Sequence, residues 1–298
     1  MKTSLRSFVV TGLTICAALW TIPETVSGQI YVANYGSGTI GEYTTAGATV
    51  NASLVSGLNG LGLAVSGGDL FVANVNAGTI AEYTTAGALV NASLVSGLNG
   101  PYGLAVSGGD LFVANHNNGT IGEYTTAGAT VNASLVSVLN SPVGLAVSGG
   151  DIFVACAASS TIGEYTTAGA TVNASLVSGL NVPLGLAVSG GNIFVANVNA
   201  GTIGEYTTAG TTVNAALVSG LDSPFGIAVS GGDLFVANWD YNSTIGEYTT
   251  AGATVNASLV SGLSLPAFLD VEEVPEPSSF GLLALGLGVL PLLRRQSR

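Results

Sequence analysis

The chemistry open to this chain is limited by a small stock of reactive side chains. Its 298 residues include one histidine, His116, and two cysteines, Cys16 and Cys156. The five cations, Lys2, Arg6, Arg294, Arg295 and Arg298, all lie at the ends, so residues 29–273 contain no lysine or arginine. Nothing in that stretch can clamp a phosphate, and no cation stands near Cys156 to favour its thiolate. The formal net charge of −12 repels nucleic-acid backbones and anionic lipid surfaces. Six glutamates recur in one setting, each followed by tyrosine: Glu42, Glu82, Glu123, Glu164, Glu205 and Glu247. A further acidic group, Asp270, Glu272 and Glu273, occurs once. A catalytic site needs an acid, a base, a nucleophile or a metal set brought to one place. On this inventory no catalytic residue, metal site or cofactor is expected, and His116 reads as a solvated loop residue.

The elements that position these residues follow from a repeat. Val-Ala-Asn ends at Asn34, Asn74, Asn115, Asn197 and Asn238, with Cys156 in the remaining place, at steps of 40 or 41 residues. A period near 40 belongs to propellers or to helical arrays. Residue type decides for the propeller. Each unit reads GLAVSGG, DLFVAN, GTIGEYTT, VNASLVSGL, rich in Gly, Val, Thr and Tyr, with apolar runs too short for helices. Gly67-Gly68 signals a two-residue hairpin, and Ala86-Gly87 a second turn. Each unit therefore holds four strands, a to d. Strand b, Leu70-Phe71-Val72-Ala73, is apolar throughout, as a strand covered on both faces should be. The glutamates fall on strand c. At ~4.8 Å between strands they stand about 10 Å outside strand a, too far apart to share one ion.

The strand count is uneven. The chain enters at a strand b, Ile30-Tyr31-Val32, and strand a recurs only at Leu63, Leu104, Leu145, Leu186 and Ile227. Near the end, Pro266 and Leu269 match Pro224 and Ile227, so 267–271 can supply the sixth strand a to the N-terminal b, c and d. The predicted fold is all-β: a six-bladed β-propeller over residues 29–273, closed by a C-terminal strand that completes the N-terminal blade. Closure removes open sheet edges. The string P-x-G-[LI]-A-V, [DN]-[IL]-F-V-A-N, G-T-I, seen from Pro183 to Val195 and beyond, resembles the NHL and YVTN propeller families. That resemblance implies the fold and little about activity, because these families mix enzymes, scaffolds and adhesins.

The copies differ from one another in the b–c loops and d–a links, which leave a four-stranded blade at the same end. That face is the candidate ligand face, with Tyr35, Tyr102, His116, Phe225, Trp239, Asp240 and Tyr241. Aromatics beside Asn and Asp suit a sugar ring or a protein surface. The expected function is a non-enzymatic exported protein that binds polysaccharide or another surface protein there. The alternative is a hydrolase or lyase in the propeller channel. Five Asn-Ala-Ser triplets, at Asn51, Asn91, Asn132, Asn173 and Asn256, match the glycosylation acceptor pattern but read first as part of the repeat.

Both ends look like addresses. Lys2 and Arg6 precede an apolar stretch, Ser7 to Ile22, and small residues Val26-Ser27-Gly28. This is a secretory signal peptide pattern over 1–28, with cleavage between Gly28 and Gln29. Its removal would leave Cys156 alone, with no intrachain disulfide. The other end reads Val274-Pro275-Glu276-Pro277-Ser278-Ser279, an apolar run 280–293, then Arg294-Arg295. As a helix this run covers about 21 Å of a ~30 Å core, so the bilayer can thin around it or flanking residues can complete the span, with the arginines held in the cytoplasm. The tail 274–298 resembles the PEP-CTERM sorting signal. That resemblance implies recognition by an exosortase after secretion, cleavage near Pro275-Glu276-Pro277, transient membrane anchoring, and a cell-surface or extracellular destination, often beside exopolysaccharide.

Overall fold

The computed structural model describes residues 27–240 and 243–274. The signal segment before Ser27, the sorting tail from Pro275 with its apolar run 280–293, and Tyr241 lie outside the described residues. Among the described residues twenty-four strands form six four-stranded sheets. The closing blade pairs β24 (Pro266–Val274), β1 (Ser27–Asn34), β2 (Thr39–Thr44) and β3 (Thr49–Ser56), in that order. The five continuous blades follow in chain order. The first holds β4 (Gly60–Ser66), β5 (Asp69–Asn74), β6 (Thr79–Thr84) and β7 (Leu89–Ser96). The second holds β8 (Pro101–Ser107), β9 (Asp110–Asn115), β10 (Thr120–Thr125) and β11 (Thr130–Val136). The third holds β12 (Pro142–Ser148), β13 (Asp151–Cys156), β14 (Thr161–Thr166) and β15 (Thr171–Ser178). The fourth holds β16 (Pro183–Ser189), β17 (Asn192–Asn197), β18 (Thr202–Thr207) and β19 (Thr212–Ser219). The fifth holds β20 (Pro224–Ser230), β21 (Asp233–Asn238), β22 (Thr244–Thr249) and β23 (Thr254–Val260).

The innermost strands touch in a closed cycle: β4 with β8, β8 with β12, β12 with β16, β16 with β20, β20 with β24, and β24 with β4. The last contact is the seam that the sequence calls for. There β24 runs antiparallel to β1, with Ile30 opposite Val271 and Ser27 opposite Val274. Strand β1 begins at Ser27, so cleavage at Gly28-Gln29 would trim its first two residues.

Local rules explain the blade. Gly67 and Gly68 both have positive φ, 64° and 86°, as a two-residue turn matched to strand twist requires. Strand b is buried throughout, and its phenylalanines, Phe71, Phe112, Phe153, Phe194 and Phe235, are among the largest fully buried side chains. Strand a needs glycine where blades meet, since a Cβ on Gly103 would run into the carbonyl of Val143 on the next blade.

The outer strand d is exposed over its first five residues, as in β3 and β7. Its asparagines have a structural task. Asn51 Oδ1 accepts the Ser53 N–H at 3.1 Å, and Asn91, Asn132, Asn173, Asn214 and Asn256 repeat this bond two residues on. Each bond occupies a backbone donor on a sheet edge that another strand could otherwise recruit.

Candidate functional site

The b–c loops and d–a links do share one end of the propeller, and the structure gathers the aromatic residues there. Tyr102 is the second residue of β8, on the d–a side, and His116 follows β9 on the b–c side. Their rings lie 4.8 Å apart, and His116 Nδ1 is 3.3 Å from Asn117 Oδ1. His116 is half-buried rather than fully solvated, which corrects the sequence expectation. Next to this pair runs an aromatic ladder. Tyr35 stacks on Trp239 at 5.5 Å, Trp239 on Phe225 at 4.8 Å, and Phe225 meets Phe268 edge-on at 5.3 Å. Asp240 is tied down locally, its Oδ2 accepting the Ser223 hydroxyl at 3.2 Å.

Phe268 escaped the sequence reading, although the signal was there: it occupies the place of Gly226 in the aligned copies. It is buried with Val143 and Ala267, and Tyr102, Leu184, Phe225 and Trp239 pack on that cluster. These residues make an apolar plug where the inner strands reach the loop face. Burial, and then the nearby Tyr35, push the Tyr102 phenol up in pKa, so it stays protonated.

Below the plug lies a channel of about 240 Å³, lined by Leu63, Ala64 and Val65 and their equivalents in the other blades. Asp270 is the one charged residue in its wall. It is half-buried, its open side being the channel. Oδ2 accepts the Val65 N–H across the seam at 2.8 Å, and Oδ1 accepts the Val271 N–H at 2.8 Å. Burial pushes the carboxyl up to about 6; the two N–H groups oppose this and Glu272 adds to it. Opposite Asp270 on β1 is Tyr31, pushed up to about 12 by burial and then by Glu42 and Glu272.

The recurring glutamates do not converge. Glu82, Glu123, Glu164 and Glu247 are raised by burial and then by Asp69, Asp110, Asp151 and Asp233 on the adjacent strand. Glu205, where the neighbour is Asn192, accepts its Nδ2 at 2.7 Å. Among the described residues no three His, Cys, Asp or Glu side chains stand close enough to hold a metal. Cys156 is free and buried, and burial pushes its thiol up to about 11, away from nucleophilic use.

A closed six-bladed ring with an aromatic loop face over a narrow channel defines the class: a β-propeller of the kind that serves both binding proteins and enzymes. The sequence profile of the virginiamycin B lyase family matches residues 7–273, and the chain belongs to that family. No curated protein sequence matches it. Among solved structures, a chain of a nidogen/laminin complex superposes with a TM-score of 0.73 at 14% identity, over 84% of this chain and 100% of that one. A streptogramin B lyase superposes with a TM-score of 0.64 at 18% identity, over 84% of this chain and 88% of that one. A catalytically inactive histidine-to-alanine variant of virginiamycin B lyase from Staphylococcus aureus, with quinupristin, does so with a TM-score of 0.60 at 18% identity, over 80% and 86%. At these identities the superpositions show the shared fold.

The family corrects the functional expectation. A non-enzymatic role as a polysaccharide or protein binder does not stand against membership of a lyase family, which favours the alternative reading of a propeller lyase. The reasoning from scarcity failed for a physical reason. An elimination needs one proton acceptor and one donor, not a triad or a phosphate clamp, so a small stock of reactive groups does not exclude it.

Proposed function

We propose that the protein is an exported propeller lyase whose reaction centre lies on the loop face around His116. An elimination removes a proton from one carbon and expels a leaving group from its neighbour. His116 takes the proton through its ring, the C–H electrons form the new double bond, and the bond to the leaving group breaks. Tyr102, protonated and in ring contact with His116, donates a proton to the departing oxygen. The imidazolium then returns its proton to the phenolate. The Tyr35–Trp239–Phe225 ladder offers an apolar bed for the substrate. The observation that carries this reading is the contact of the only histidine with a half-buried phenol in a chain of a lyase family.

The basic and apolar start supports export by a signal peptide over 1–28. The Val274-Pro275-Glu276-Pro277 string, the apolar run 280–293 and the closing arginines support sorting by an exosortase, with transient anchoring in the membrane and a surface or extracellular destination.

The test uses quinupristin, the compound found with the staphylococcal relative. Elimination conserves the substrate's mass in its products, whereas hydrolysis adds one water, so mass spectrometry separates the two. Turnover without mass gain is expected, with loss in His116→Ala and a smaller loss in Tyr102→Phe. An inert protein, products that gain water, or an active His116→Ala variant would each overturn the assignment.

A further inference from the structure

We propose that the axial channel binds one hard cation, held by the Asp270 carboxylate and by backbone carbonyls that face the axis. Ser66 and Asp69 flank the two-residue turn, so they exchange hydrogen bonds, and the next bonded pair along the hairpin is Ala64 with Phe71. Val65 and Leu63 between them must turn their N–H and C=O groups away from β5, toward the axis. The bond from Val65 N–H to Asp270 Oδ2 confirms that direction. The same register recurs in the other continuous blades, so Val106, Val147, Val188 and Val229 present the same groups.

Into this ring of inward amide groups projects one carboxylate. Its two N–H bonds leave a lone pair on each oxygen. Two N–H groups do not balance the charge of this carboxylate, and residues 29–273 contain no lysine or arginine to do so. The countercharge can come only from solvent. Carboxylate and carbonyl oxygens are the donors that calcium prefers, and sites in extracellular modules hold it at roughly 10⁻⁴–10⁻³ M. The other blades have Ala64, Ala105, Ala146, Ala187 and Ala228 at this position, so one site per chain follows. The acid pairs such as Asp69 and Glu82 lie further out, on strands b and c, and are not part of it.

Calorimetry and thermal unfolding of the full chain test this, with calcium, magnesium and potassium chlorides as separate arms. One equivalent of calcium per chain is expected, with a raised unfolding temperature. Both effects should vanish in Asp270→Asn and persist in Glu82→Gln. A response to magnesium or potassium instead supports the site and assigns its preference. Absence of binding at millimolar concentrations of all three cations, or a cooperatively folded Asp270→Asn that binds like the parent, would overturn the proposal.

Discussion

Along the innermost strand, the fifth blade carries Gly226, Ala228 and Ser230, and the first four carry the same three residue types. At those places the closing blade carries Phe268, Asp270 and Glu272, with Tyr31 where the others have a buried phenylalanine. In the continuous blades the inner strand is chosen for close approach: glycine meets the neighbouring carbonyl, and alanine fills the little space left. In the closing blade bulk and charge are admitted, and the neighbour is altered to match. Asn34 and Asn74 are 40 residues apart where the other copies step by 41, so the link into β4 is one residue shorter. The irregularity at the start of β4 is smaller too: Gly60 and Gly62 both pair with β5, whereas in β8 pairing skips from Pro101 to Leu104. The deletion thus stands beside the one bulky inner residue. Variation in this propeller has two addresses, the loop face and the closing seam, and the seam alone changes the channel.

The largest way to break the comparison is to remove the seam. A chain ending at Leu265 keeps five blades intact but strips β1 of its inner partner and opens the ring. It should lose the single cooperative unfolding transition by circular dichroism, where a truncated but closed ring would not. Next come paired core substitutions. Phe235→Ala in the fifth blade should cost about 3–5 kcal/mol, a typical cost for emptying a buried phenyl site. Tyr31→Phe, which keeps the ring and restores the residue of the other blades, should cost under about 1.5 kcal/mol, the range of one hydrogen bond. Denaturant titration of both variants measures the gap.

The smallest effect is pH dependence. Burial raises the folded-state pKa of Asp270 from the ordinary carboxylate value of 3.8 to about 6, so the native state binds the proton more tightly than the unfolded chain. The stabilisation by this group is complete below about pH 4 and is lost as pH rises through 6. Glu42, Glu82, Glu123, Glu164 and Glu247 are raised as well and act with the same sign. In cation-free buffer, stability should therefore fall from about pH 4 to about pH 6.5, and Asp270→Asn should flatten part of the slope. An unchanged slope would mean that the seam carboxylate is not the group titrating.

Much of this arrangement is legible in the order of residues. The repeat, the four strands per blade and the sixth inner strand at Pro266 follow from matching copies, because one blade folds by the same local rules as the next. The shared side of the loops follows from counting strand reversals. What the sequence hides lies between blades. Tyr102 and His116 were each visible, but their ring contact depends on a d–a link and a b–c loop converging in space. Phe268 shows as a substitution for glycine, yet only the packed inner strands reveal that it plugs the channel. The asparagine of Asn-Ala-Ser resembles a modification site until its side chain is found bonded two residues along its own strand. The functional class was misread because a scarcity of reactive groups was taken as a lack of chemistry.

The pairing of Ser27 with Val274 has a further consequence. Two residues at opposite ends of the folded region must find each other before the toroid locks, so the last strand of the propeller to be synthesised works as a clasp. A product that stops before Pro266 stays ajar and is exposed to proteases. The architecture thereby certifies that its closing strand has been made.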